Sequence, residues 1–117
     1  MKNAIGDSPR FDLILLGMGA DTHTASLFPH SQALAETTRL AVAHYVATLR
    51  THRLTLTLPV LCGAASIIMI ALGREKAAPV REVLQSEMDP AAHPAQAIRP
   101  ANGRLIWLLD QESASDL

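Results

Sequence analysis

The stretch Ser66-Ile67-Ile68-Met69-Ile70-Ala71-Leu72-Gly73 gives the strongest indication of how this chain folds. From Ile67 to Leu72 it is apolar without interruption, and it stops at a glycine. A short apolar run of this kind, with no polar alternation, predicts a central β-strand buried on both faces. Phe11-Asp12-Leu13-Ile14-Leu15-Leu16 is a second such run, ends at Gly17, and predicts another buried strand.

Weaker patterns predict the remaining elements. Leu and Thr alternate strictly from Arg53 to Leu58, which is typical of a half-buried or edge strand. Pro79 fits a helix only in its first turn, because a proline in a helix interior costs about 3 kcal/mol. The other predicted elements are strands at 40–43 and 105–109, helices at 60–65, within 74–88 and at 111–117 (the last with Asp110 as N-cap), and an irregular surface loop at 89–102.

The alternation of strands with helical segments predicts an α/β fold with a mainly parallel sheet. Four or five strands make a thin sheet for this architecture, which indicates that the domain is incomplete. In open parallel sheets, ligands bind outside the carboxyl ends of the strands. The segments after Gly17 and Gly73 are therefore the places to look for chemistry.

The composition excludes several classes of function. Ten Lys and Arg against eleven Asp and Glu give a net charge of −1, which argues against a nucleic-acid footprint and a polybasic membrane signal. The longest apolar stretch, 64–72, is far shorter than the about 20 residues of a bilayer span. Residues 1–10 carry no apolar leader, and the single cysteine, Cys62, cannot form an internal disulfide and is read as small core filler. We therefore expect a soluble, cytoplasmic protein.

The loop from Gly17 to Pro29 carries the most informative residues. It begins like a dinucleotide-binding fingerprint, but Thr22 occupies the position of the third glycine and no acidic residue is clearly placed about 20 residues further on. Asp21 and His23 suggest a different chemistry, because a histidine at a strand end can act as a general base near neutral pH. The residue types leave alternatives open: Asp21 could orient the imidazole or bond backbone amides, and His23 could simply hydrogen-bond within its loop.

Lys76 follows the 66–72 strand at the start of the next helix. A helix N-terminus with a lysine nearby suits a phosphate group, although a lysine beside Arg74 and Glu75 is also typical of a solvated surface. The other histidines have no metal-ligand spacing. Asp21 and His23 alone fall short of the three protein ligands of a catalytic zinc, so no metal site is predicted.

Together these motifs resemble the signature of the 6-phosphogluconolactonase family. The resemblance runs in the family's order through 11–21, 23–29, Arg53-Leu54-Thr55-Leu56-Thr57, Gly73 with Lys76, Pro94-Ala95-Gln96, Pro100 and Trp107-Leu108-Leu109-Asp110. It implies a Rossmann-like α/β fold, shared with glucosamine-6-phosphate deaminases. It also implies a cytosolic enzyme of the oxidative pentose phosphate pathway that hydrolyses 6-phospho-D-glucono-1,5-lactone to 6-phosphogluconate, without a metal or an organic cofactor.

Carried over residue by residue, the resemblance gives roles to the loop and the lysine. His23 matches the family's proposed general base, with Asp21 beside it, and Lys76 matches a basic residue near the sugar phosphate. A histidine and a lysine fit this reaction. Lactone hydrolysis needs a base that deprotonates water, and it needs hydrogen-bond donors for the phosphate group and for the developing oxyanion. The expected loop backbone comes from Gly17, Gly19, Thr22 and Thr24.

Two departures from the family pattern bear on activity. Thr22 stands where the family has glycine, and a positive φ there would strain a threonine by about 1–2 kcal/mol. The chain also matches only the carboxyl-terminal half of the family, without its glycine-rich phosphate loop and its acidic-arginine segment. We therefore interpret residues 1–117 as one domain, the carboxyl-terminal portion of a 6-phosphogluconolactonase-like domain, with activity impaired by the truncation.

Two other interpretations stay open. One is a sugar-phosphate isomerase or deaminase of the same superfamily, although residues 24–29 favour the lactonase. The other is a non-catalytic fragment that pairs with a complementary amino-terminal half or with a second copy of itself, through apolar sheet surface left uncovered. The expected small-molecule partner is a sugar-phosphate lactone, and neither nucleic acid nor a membrane is an expected partner.

Overall fold

A three-stranded parallel sheet organises the computed structural model, which describes residues 9–117. Strands β1 (Ile14–Gly17), β4 (Ser66–Ala71) and β5 (Arg104–Leu109) lie in the order β1-β4-β5, so β4 is the central strand. The predicted α/β class with a mainly parallel sheet is confirmed. The other elements are an antiparallel hairpin of β2 (Ala41–Val46) and β3 (Thr51–Leu56), helices α1 (Leu58–Leu61) and α2 (Ala77–Gln85), and 3-10 turns at Gln32–Ala35, Arg74–Lys76 and Pro94–Ala97.

The register of the sheet aligns the ends of its strands. Leu15 of β1 lies opposite Ile68 of β4, and Ile68 lies opposite Ile106 of β5. Because both pairings are parallel, the segments that follow β1 and β4 leave from the same edge of the sheet.

The sheet has one buried face and one open face. On the buried face, Ile67, Met69 and Ala71 are at most 2% exposed and lie in the main apolar core. The prediction that β4 is buried on both faces is wrong for residues 9–117, because nothing in this part of the chain covers the second face. We call that second surface the open sheet face, and its apolar residues are Leu15, Ile68, Ile70, Ile106 and Leu108.

The hairpin buries threonines and exposes a leucine. Thr55 and Thr57 are 5% and 0% exposed, whereas Leu54 is 67% exposed. The Thr55 hydroxyl accepts a hydrogen bond from the Ser26 amide at 3.2 Å, and the Thr57 hydroxyl donates to the Arg39 carbonyl at 2.6 Å. The alternation from 53 to 58 therefore marks a half-buried strand, and its inward face binds the backbone of neighbouring loops.

The two helices begin at proline-containing turns. Pro59 lies in the first turn of α1, which is earlier and shorter than the helix predicted at 60–65. Pro79 lies in the first turn of α2, as predicted, and α2 ends at Gln85 rather than near Met88. In the first turn a proline removes no intrahelical hydrogen bond, so both positions are compatible with a helix.

Two predictions for the second half of the chain are wrong. The segment 89–102 is more than an irregular surface loop, because Pro94, Ala95, Gln96 and Ile98 are buried in it. The tail 111–117 forms turns instead of a helix. Asp110 nevertheless acts at the position predicted for a cap, since its carboxylate accepts a hydrogen bond from the Ser113 amide at 2.8 Å.

No helix within residues 9–117 is long and apolar enough to cross a membrane. The prediction that residues 1–10 carry no apolar leader rests partly on residues 1–8. These lie outside the residues that the structure describes.

The two faces of the sheet predict different responses to truncation of an apolar side chain. We expect Ile67→Ala to lower the free energy of unfolding by about 2–5 kcal/mol, because Ile67 is fully buried. Leu15→Ala on the open sheet face should change it by only about 0.5 kcal/mol, because Leu15 is 59% exposed. Urea unfolding of both variants measures this. Equal losses would mean that the open sheet face is covered in solution.

Candidate functional site

Asp21 and His23 form a hydrogen-bonded pair in the loop that follows β1. Nδ1 of His23 lies 2.5 Å from Oδ1 of Asp21, and the His23 amide donates to the same oxygen at 3.0 Å. A carboxylate only accepts hydrogen bonds, so the ring proton sits on Nδ1 and Nε2 carries the free lone pair. The sequence alone could not choose between the roles of Asp21, and the structure shows it bonded to both the ring and the backbone of His23.

The charge of Asp21 is stabilised by this pairing. Partial burial raises the pKa of the Asp21 carboxyl, but the hydrogen bonds from the His23 ring and amide outweigh it and hold the pKa below its usual range. Asp21 is therefore ionised at neutral pH and can orient the imidazole and stabilise it when protonated.

Backbone hydrogen bonds close the loop into a tight turn. The Gly19 amide donates to the His23 carbonyl at 2.9 Å, and the Thr22 amide donates to the Gly19 carbonyl at 3.0 Å. Thr22 has a φ of +69°, the left-handed region that favours glycine, so the family's glycine at this position has a conformational reason. Thr24 ties the loop back to the end of β1, since its hydroxyl donates a hydrogen bond to the Gly17 carbonyl at 2.8 Å.

The imidazole of His23 is enclosed by Gly19 on one side and by Phe28 on the other. A Cβ atom on Gly19 would lie 2.1 Å from Cε1 and 2.2 Å from Nδ1 of His23, so only glycine leaves room for the ring. The Phe28 ring stacks on the imidazole at a centroid distance of 4.4 Å. With 31% of its side chain exposed, His23 is held firmly and still reaches solvent.

Lys76 reaches the same edge of the sheet from the end of β4. Gly73, with a φ of +96°, turns the chain into the 3-10 turn that carries Lys76. The Lys76 ammonium donates to the Met18 carbonyl, which lies just after β1. His23, Lys76 and Gly17 line one shallow depression, so the structure brings the predicted base and the predicted phosphate ligand together.

The structure adds Arg53, to which the sequence patterns assign no role of its own. Arg53 of β3 lines a second depression together with Asp21, His23 and Phe28. Its location depends on how the hairpin folds over the loop, which is a tertiary contact without a local sequence signal. Arg39, in contrast, is paired with Glu36 at 2.8 Å.

The other candidate side chains have structural partners. His44 Nε2 lies 2.7 Å from the Ser26 carbonyl, and the Cys62 thiol donates to the Ala97 carbonyl at 3.3 Å. Within residues 9–117 no three His, Cys, Asp or Glu side chains cluster as metal ligands would. The arrangement is thus a hydrogen-bonded aspartate–histidine pair at the carboxyl edge of a parallel sheet, and Lys76 and Arg53 each line a depression that His23 also lines.

Sequence and fold both match one enzyme family. The profile of the family described as glucosamine-6-phosphate isomerases/6-phosphogluconolactonase matches residues 1–107. The chain is 44% identical over 112 residues to the 6-phosphogluconolactonase of Synechocystis sp., covering 96% of this chain and 45% of that protein. The solved structure of 6-phosphogluconolactonase from Trypanosoma brucei matches with a TM-score of 0.79 at 35% identity, covering 93% of this chain and 43% of that one. The chain belongs to the glucosamine-6-phosphate isomerase/6-phosphogluconolactonase family.

The chain spans less than half the length of these relatives. Human 6-phosphogluconolactonase is covered to a similar extent: the match has 41% identity over 112 residues and covers 93% of this chain and 43% of that protein. The match falls on the carboxyl-terminal part of the relatives, which confirms the resemblance seen in the sequence.

The packing of His23 against Gly19 gives a sharp test of the site. We expect Gly19→Ala to push the imidazole off Asp21, because the new Cβ would overlap the ring. NMR of the histidine rings should then show the Nδ1–H signal of His23 lost or moved upfield, since the carboxylate no longer accepts it. Gly17→Ala is the matched control, because nothing lies within 4 Å of a Cβ there. An unchanged His23 signal in Gly19→Ala would contradict the described ring position.

Proposed function

We propose that this chain is the carboxyl-terminal portion of a 6-phosphogluconolactonase-like domain, which hydrolyses 6-phospho-D-glucono-1,5-lactone to 6-phosphogluconate. The observation that carries the proposal is the Asp21–His23 pair beside Lys76 at the carboxyl edge of the sheet. Membership of the family supports the reaction class. The proposed setting is the cytoplasm and the oxidative branch of the pentose phosphate pathway, and the proposed reaction uses no cofactor.

The proposed chemistry starts at Nε2 of His23. Because Asp21 accepts the Nδ1 proton, Nε2 is free to remove a proton from water. The resulting hydroxide forms a bond to the lactone carbonyl carbon, and the bond from that carbon to the ring oxygen breaks. The imidazolium then returns the proton to the departing ring oxygen, which leaves a carboxylic acid and a hydroxyl group.

Two cations can hold the substrate's phosphate or stabilise the oxyanion. Lys76 has three N–H donors, and the structure uses one of them on the Met18 carbonyl. Arg53 lines the second depression together with His23. A dianionic phosphate bound to either group would hold the lactone near His23, which lines both depressions.

The open sheet face supports an incomplete domain. Leu15 and Leu108 are 59% and 52% exposed there, and monomeric soluble proteins rarely leave a contiguous apolar patch of this kind uncovered. The relatives are more than twice as long as the matched region, which is 45% of the Synechocystis protein. We propose that the remaining part of a family-length domain covers this face and supplies further contacts to the substrate.

Complementation tests both parts of the proposal. The chain is assayed on the lactone alone and after mixing with the separately produced amino-terminal half of the Synechocystis relative. We expect the chain alone to stay near the spontaneous rate and the mixture to be active, because positioning contributes as much as the base. His23→Ala in the mixture is the control and should return it to the spontaneous rate.

Other outcomes would contradict the proposal in distinct ways. If the chain alone turns over about 1–10³ lactone molecules per second and His23→Ala does not, the rest of the domain is dispensable. Release of ammonia from glucosamine 6-phosphate would favour the isomerase or deaminase. A stable complex without activity, or self-association of the chain in sedimentation, would favour the non-catalytic fragment.

Lys76→Met in the complemented enzyme tests the phosphate role. We expect KM to rise about 10- to 100-fold with a smaller change in kcat, because one charge-assisted hydrogen bond to the substrate is lost. Arg74→Met is the matched control, since Arg74 is an exposed cation two positions away. A fall in kcat at constant KM would mean that Lys76 acts only by holding the Met18 carbonyl.

A further inference from the structure

The geometry points to His93 as a positioning residue for His23. We propose that the His93 imidazole holds the Thr22 side chain from behind and thereby keeps the left-handed turn that places Asp21 and His23. This inference rests on the proposed function in one respect only, which is that His23 is the residue that acts on the substrate. The contacts that carry it are independent of any substrate.

Thr22 is a strained position in the loop. It is 0% exposed and has a φ of +69°, where a side chain with a Cβ costs about 1–2 kcal/mol relative to its ordinary conformations. Its hydroxyl is also shut away from water and needs partners inside the protein. A threonine here is therefore stable only if its surroundings hold it.

The hydroxyl of Thr22 has two partners. It lies 2.5 Å from the Asp21 carbonyl oxygen and 3.3 Å from Nδ1 of His93. Since the carbonyl can only accept, the hydroxyl donates its one hydrogen to Asp21. His93 must then donate to the hydroxyl from Nδ1, and Oε2 of Glu82 lies 3.9 Å from the same nitrogen.

The backbone behind Thr22 is held by the same segment. The Ala95 amide donates to the Thr22 carbonyl at 3.0 Å, and Ala95 is buried in the 3-10 turn that His93 precedes. The His93 amide in turn donates to the Asp89 carbonyl at 2.8 Å. The segment that starts at His93 thus forms a support for Thr22, with one backbone contact and one side-chain contact.

A displacement of Thr22 would move Asp21 and the His23 imidazole, because both are its direct neighbours in the chain. Asp21 precedes Thr22 and His23 follows it. The Gly19 amide donates to the His23 carbonyl and the Thr22 amide donates to the Gly19 carbonyl, and these two bonds close the turn. A misplacement of about 1 Å in a catalytic group can lower a rate about 100-fold. With a glycine at position 22, as the family resemblance implies, there is no hydroxyl to hold and His93 has nothing to position.

NMR of the histidine side chains of the 117-residue chain tests the inference without substrate. We expect His93→Ala and Thr22→Val to shift the ring signals of His23, because each removes one partner of the Nδ1-to-hydroxyl contact. His93→Asn should keep the wild-type signals, since its amide nitrogen can replace Nδ1. His52→Ala is the matched control, because His52 packs on Tyr45 in the hairpin and should leave His23 unchanged.

A double-mutant cycle separates positioning from general stability. In the Thr22→Gly background, His93→Ala should leave the His23 signals as they are in Thr22→Gly alone. The inference is overturned if His93→Ala and Thr22→Val leave His23 unchanged, or if His93→Ala disturbs it equally with glycine at position 22. If His93→Ala does not fold with threonine at position 22, the Thr22→Val and His93→Asn variants decide the test. If His93→Ala does not fold with glycine at position 22 either, His93 has a general structural role and the inference is overturned.

The complemented enzyme adds a kinetic readout. We expect His93→Ala to lower kcat by up to about 100-fold with KM unchanged, and His93→Asn to restore it. If complementation gives no lactonase activity at all, the proposed function fails while the NMR result still decides the role of His93.

Discussion

Parallel pairing of β4 with a strand on each side is the constraint on which the rest of the structure depends. β4 is the only strand of the described sheet bonded to two neighbours, and its inward side chains Ile67 and Met69 are fully buried. Because β1 and β4 run in the same direction, their following segments meet at one edge. The loop with His23 and the turn with Lys76 therefore leave the sheet side by side.

Around this edge, the loop 17–26 is held from three directions. Lys76 holds it at the Met18 carbonyl, the hairpin holds it through the Thr55 hydroxyl on the Ser26 amide, and the segment 93–95 holds Thr22. None of these contacts is local in sequence. A loop with two glycines and a left-handed threonine can keep an imidazole in place only with such support.

The two faces of the sheet differ in how completely residues 9–117 cover them. The buried face is closed by α2 and the loops, and one of those loops carries the hydrogen-bonded Asp21–His23 pair. The open sheet face has apolar residues with no partner among residues 9–117. More than half the length of these relatives lies outside the region that this chain matches.

The sequence by itself determined the strands, the class of fold and the family, because apolar runs that end at Gly17 and Gly73 and the motif at 23–29 are local patterns. It also placed Pro79 in a first helical turn, since a proline is incompatible with a helix interior. The tertiary structure decided which side of β3 faces inward, the approach of Arg53 to His23, and the support of Thr22 by His93. Those features depend on contacts between residues up to 71 positions apart in the sequence. A pattern of neighbouring residues does not show which distant segments pack together.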